Sequence, residues 1–190
     1  MSRITTLTSH EISQLFESVA NRKYHLRDRA MLALSIYAGM RVSEISSLKM
    51  SDVLDEEGCL MNEVIPKQRK NSKHPKVVYL TDRVMATLND YLITIPIKKP
   101  GTHVFHADTS ASFTSNGLTQ WFFTRYRQAG LHASSNSGHK TFCRALASKG
   151  VSIQTIARLA GHQHSSTTRR YMTGLYSEAS MLRGAVELVG

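Results

Sequence analysis

The chain has 190 residues, 41% of them hydrophobic and 20% charged, and its 24 Lys and Arg against 14 Asp and Glu give a formal charge of +10. That length corresponds to one soluble domain or two small ones, and the apolar content is enough for a sizeable core, which excludes wholesale disorder. No run approaches the roughly 18 apolar residues of a membrane span, the N-terminus lacks a leader's apolar stretch, and Cys59 and Cys143 have no CxxC spacing. A reduced, cytoplasmic protein without a membrane partner is expected.

Thr8 and Glu11 form the S/T-x-x-E pattern of a capping box, and Ile12, Leu15, Phe16 and Val19 follow at helical spacing, predicting a helix over residues 9–20. A second helix is predicted over 26–38, where Met31, Leu32, Leu34, Ile36 and Tyr37 make a broad apolar face before Gly39 stops it. A short helix over 43–48 follows Arg41. The period then changes: residues 60–65 and 76–80 read as strands flanking a basic hairpin loop, 67–75, that carries Lys70 and Lys73. Thr81 is placed to cap a helix running to about residue 92, and a Pro-containing connector covers 95–101.

Further helices are predicted over 113–128, 141–148 and 153–159, with Gly150 ending the second. Ser166, Thr167 and Thr168 read as caps for a segment leading to Tyr171, and an amphipathic helix is predicted over 178–189. The expected fold is mainly α with one small antiparallel β-sheet.

Charge divides the chain unevenly. Residues 1–95 carry a net +2 and residues 96–190 a net +8, and the 69 residues between Asp108 and Glu178 contain no acid while holding eight Lys or Arg and four His. Each excluded carboxylate removes a repulsion against phosphate, so a polyanionic partner is expected.

Familiar catalytic patterns are missing: there is no GxGxxG, GxxxxGK[ST] or HExxH, and an acid-free stretch offers no carboxylates to hold Mg²⁺. His139, Cys143, His162 and His164 lack the usual zinc-ligand spacing, so no metal is expected. What remains is Arg41, the Lys70/Lys73 loop, His139, His162 and Tyr171. Guanidinium forks phosphate oxygens, Lys or His protonates a leaving oxygen, and a tyrosine hydroxyl attacks phosphorus: together these residue types fit metal-free phosphoryl transfer. The bland readings are a capping Arg41, a solvated Lys70, a core His162 and a buried Tyr171.

Residues 38–48, AGMRVSEISSL, resemble the first arginine box of the tyrosine recombinases (phage integrase family), [TA]GxRxxELxxL, and residues 159–171, LAGHQHSSTTRRY, resemble that family's LxGH and nucleophile box. The resemblance runs almost end to end and implies a single catalytic domain over 1–190 without the N-terminal core-binding domain of most relatives. It implies a DNA site-specific recombinase or integrase that cleaves and rejoins strands through a 3′-phosphotyrosyl link, needs no cofactor and acts on double-stranded DNA. Such a protein would assemble as a homo-oligomer, a tetrameric synapse, with accessory proteins as further partners. By the same resemblance Tyr171 is the nucleophile, Arg41 the phosphate clamp, Lys70 or its rival Lys73 the general acid, His162 a phosphate donor and Glu44 a support for the arginine box.

The second box departs from the family's HxxR pattern: Asn136 stands at the histidine position and His139 at the arginine position. A neutral imidazole lacks the charged fork, and losing one transition-state donor of this kind costs about 2.7–4 kcal/mol. A weakened recombinase, an introduced substitution, and a non-catalytic DNA-binding regulator or accessory factor on the same fold are the readings this departure leaves open. Replacing His139 by Arg is the experiment that addresses it.

Overall fold

The computed structural model describes residues 5–67, 75–96 and 99–172. Helix α1 (Ser9–Ala20) opens as its sequence dictates: the Thr8 hydroxyl accepts from the Glu11 amide at 3.2 Å, and the Glu11 carboxylate accepts from the Thr8 amide at 2.7 Å. Both bonds satisfy amide groups that a helix start otherwise leaves to water. Helix α2 (His25–Ile36) is the central element, with Ala30, Met31, Leu32, Ala33 and Leu34 all buried. Burial on every side explains why its sequence has a broad apolar face instead of a stripe.

Around α2 pack α1, α3 (Val42–Ser47), α5 (Asp82–Leu92) and α7 (Ser137–Ser148). A one-turn helix, α4 (Met50–Val53), leads into the sheet, where β1 (Glu63–Val64) pairs antiparallel with β2 (Val78–Tyr79), Glu63 opposite Tyr79 and Val64 opposite Val78. The strands are shorter than the predicted 60–65 and 76–80. The loop holding Lys70 and Lys73 lies outside the described residues, as does the predicted helix over 178–189.

Helix α6 (Ser115–Gln128) begins two residues later than predicted because Thr114 caps it, accepting from the Gly117 amide at 3.0 Å. Its side chains Leu118, Phe122 and Tyr126 join the main core. Helix α7 begins a full turn earlier than predicted, at Ser137, and so carries His139 within its first turn. Helices α8 (Ile153–Ala160) and α9 (Ser165–Tyr171) complete the described chain. With α7 they enclose a second, smaller apolar cluster of Cys143, Ala147, Ile156, Ala160 and Met172, against which Tyr171 packs. Among the described residues no helix is long and apolar enough to cross a membrane.

Candidate active site

Arg41 is placed by the end of α2. Gly39 adopts φ +63°, a left-handed turn that an L side chain enters at a cost, and a Cβ there would run into the Phe142 ring. The reversed chain puts Arg41 at the N-cap of α3, with its amide donating to Glu44 Oε2 at 2.8 Å. Its guanidinium is held at two points, donating from Nη1 to Glu44 Oε1 at 2.9 Å and from Nη2 to the Gly161 carbonyl at 3.2 Å. Glu44 therefore supports the arginine, as the resemblance implied.

Lys76 escaped the sequence reading. It is 4% exposed, and its ammonium donates to Glu44 Oε2 at 2.7 Å and to the Gly39 carbonyl at 3.0 Å. Burial lowers its pKa, with Glu44 opposing that shift by charge and hydrogen bond. The signal was strand parity: residues 76, 78 and 80 share one face, Val78 and Leu80 are buried, and Lys76 is buried with them. Gly161 closes α8 at φ +63°, and a Cβ there would meet Lys76 Cδ at 2.9 Å.

His139 is 2% exposed, and its Nδ1 donates to the Gly39 carbonyl at 2.7 Å. Burial first, then the charges of Arg41 and Lys76, hold its pKa well below the ordinary 6.5, so the ring is neutral at pH 7. Its Nε2 lies 3.3 Å from Nε2 of His162, whose Nδ1 is 2.8 Å from Thr168 Oγ1. Thr168 sits inside α9, whose N-cap is His164, and not in the capping role predicted for it.

Tyr171, the last residue of α9, meets both imidazoles edge to face, at 5.3 Å between centroids from His162 and 6.2 Å from His139. Burial raises its pKa, the neighbouring Cys143 adds to the rise, and Arg41 and Arg170 oppose it. Arg41, His139, His162 and Tyr171 all line one cavity of about 530 Å³, together with Asn136 at the N-cap of α7. Four of the five expected site residues are thus brought together; the fifth, Lys70, falls in the undescribed hairpin loop. Lys140 and Arg144 are not among the residues that line this cavity. The described residues contain no group of three His, Cys, Asp or Glu arranged for a metal ion.

The arrangement offers an oriented guanidinium, two hydrogen-bonded imidazoles and a phenol around a solvent-open space, which suits an anionic oxygen cluster beside a nucleophile. Comparison with known proteins gives the same direction. A 168-residue stretch is 28% identical to a tyrosine recombinase of Thermosipho africanus, covering 87% of this chain and 56% of that protein. A 167-residue stretch is 29% identical to tyrosine recombinase XerA of Pyrococcus horikoshii, covering 87% and 55%. The chain thus spans just over half the length of these curated relatives. Among solved structures, XerA recombinase superposes with a TM-score of 0.75 at 19% identity, covering 96% of this chain and 64% of that one. The Tn1549 transposon integrase in complex with circular intermediate DNA superposes at 0.82 and 15% identity, covering 100% and 68%. These likenesses confirm the expected fold. The sequence profile of the phage integrase family matches residues 5–178, nearly the whole chain, and the protein belongs to that family.

Proposed function

We propose that this chain is a DNA strand-breaking and rejoining domain that works through a phosphotyrosine at Tyr171. The convergence of Arg41, His139, His162 and Tyr171 on one cavity carries this reading. The Tyr171 oxygen forms a bond to the scissile phosphorus while the bond from phosphorus to the 5′-oxygen breaks. The phenolic proton leaves to the open cavity, and the 5′-oxygen takes a proton from Lys70 or Lys73 and departs as a hydroxyl. Reversal by a 5′-hydroxyl reseals the strand, so bond energy is conserved and no cofactor enters.

Arg41 holds the non-bridging oxygens, its guanidinium fixed beforehand by Glu44 and the Gly161 carbonyl. His162 donates to a phosphate oxygen. The partner is double-stranded DNA, supported by the eight basic side chains of the acid-free stretch. Exchange between two sites requires a homo-oligomer on DNA, a tetramer on paired sites, with accessory proteins as further partners. The enzymatic reading is favoured over a DNA-binding regulator because Tyr171 stands beside the clamp and not merely somewhere in the core.

The test uses a pool of nicked suicide duplexes with randomised arms, incubated with the protein and resolved on a denaturing gel. A protein–DNA adduct that disappears in Tyr171→Phe is the expected result. Tight duplex binding with no adduct from any member of the pool would overturn the enzymatic reading in favour of the regulator.

A further inference from the structure

Resting on that reading of the site, we infer that Lys76 is a positioning residue that acts on phosphate through its neighbours: its buried ammonium offsets the charge of Glu44, so that the Arg41 guanidinium faces the cavity as a net cation. Lys76 stands two residues before β2 and is not among the residues that line the cavity. Its contacts nevertheless lie behind three groups that do. The ammonium donates to Glu44 Oε2 at 2.7 Å, and the other carboxylate oxygen, Oε1, accepts from Arg41 Nη1 at 2.9 Å. The ammonium also donates at 3.0 Å to the Gly39 carbonyl, which His139 Nδ1 contacts at 2.7 Å. The methylene stem packs against Gly161, where a Cβ would meet Lys76 Cδ at 2.9 Å, and the Gly161 carbonyl accepts from Arg41 Nη2.

The electrostatic step follows from counting charges. Arg41 and Glu44 by themselves form an ion pair of zero net charge, which attracts an incoming phosphate only as a dipole. With Lys76 the trio carries two positive charges against one negative. Lys76 is buried, so its charge is screened little by salt. The reach of that charge shows at His139 in the cavity wall, whose pKa is lowered by burial first and then by Arg41 and Lys76.

Hydrogen bonding alone does not account for a lysine at this position. Glu44 Oε2 already accepts from the Arg41 amide at 2.8 Å, so the carboxylate is held from its own helix start. On an inward face shared with Val78 and Leu80, an apolar side chain would avoid the cost of dehydrating an ammonium. What the ammonium adds there is charge.

The experiment titrates inorganic phosphate into the full chain labelled with ¹⁵N-histidine near pH 8 and follows binding at the site through the His139 and His162 ring signals. It compares the unmodified protein with Lys76→Gln, Lys76→Met and Lys76→Arg, and backbone amide spectra check that each variant is folded. Lys76→Gln keeps a donor for Glu44 without the charge, and Lys76→Met keeps only the stem. Both are expected to bind phosphate about 15-fold more weakly, the worth of a unit charge at roughly 10 Å through an effective dielectric constant of about 20, while Lys76→Arg stays within about threefold of the unmodified protein. Adduct formation on suicide duplexes at subsaturating DNA is expected to follow the same order. Phosphate binding in folded Lys76→Gln or Lys76→Met as tight as in the unmodified protein would overturn the inference and leave the proposed reaction standing. An equal loss in Lys76→Arg, or ring signals of the unmodified protein that ignore phosphate, would also overturn it. The expected order of phosphate binding with no adduct from any of the four proteins would uphold the role of Lys76 and overturn the proposed reaction.

Discussion

His139 stands where the arginine-box pattern that the sequence resembles places an arginine. His139 gives its one proton to a backbone carbonyl and lends no charge to the cavity. His139→Arg is expected to raise the rate of adduct formation by up to about 10²-fold, the scale of one transition-state donor, in a single-turnover gel assay. The same change sets a third cation beside Arg41 and Lys76 and should lower the melting temperature. A pH effect follows from the neutral ring. Below the ordinary value of 6.5 the unfolded chain takes up a proton here that the folded chain refuses, so stability falls as pH drops through that window. Denaturant titrations between pH 7 and pH 5 should show a shallower loss in His139→Gln than in the unmodified protein. Glu44 is the other decisive residue, because one carboxylate serves both Arg41 and Lys76. Glu44→Ala removes the carboxylate that two largely buried cations share and is expected to cost about 3–5 kcal/mol in the same titrations.

At the scale of elements, the residues of the candidate site converge because turns deliver them. Gly39 stops α2 and delivers Arg41, while Gly161 stops α8 and delivers His162. Gly39→Ala should cost roughly 2 kcal/mol or more, from the left-handed backbone and the Phe142 contact, and lower the melting temperature by about 4–8 °C in calorimetry. Much of this was readable in the sequence: the stop at Gly39, the capping box of α1 and the strand-to-helix change of period all depend on neighbours a few residues apart. The elements read less well were those decided by distant contacts. Helix α7 starts early because its first turn is buried: Gly138 and His139 pack there against Ser35 of α2 and the Gly39 carbonyl, which local sequence does not record. Thr168 looked like a cap because Ser and Thr at a helix start usually are, whereas its true partner is an imidazole six residues back. Lys76 was visible through strand parity alone, and a lysine is seldom expected on an inward face.

At the scale of the whole molecule, the site lies on a seam between two apolar clusters. Arg41 belongs to the side built around α2, Tyr171 packs against the cluster of α7, α8 and α9, and α7 contacts both. Relative movement at that seam would change the distance between Arg41 and Tyr171 without disturbing either core. The charge asymmetry of the sequence acts at the same scale. With five to eight of the basic side chains in the acid-free stretch neutralising phosphates, a plot of log K against log salt for duplex DNA should have a slope of about −4 to −7, and a flat plot would remove the electrostatic account of binding. Strand cleavage through Tyr171 is tested by digesting the adduct formed with a nicked suicide duplex and mapping it by mass spectrometry. A nucleotide phosphate on Tyr171 and a 5′-hydroxyl on the released strand are expected; a phosphate on any other residue, or a released strand ending in 5′-phosphate, would rule that chemistry out.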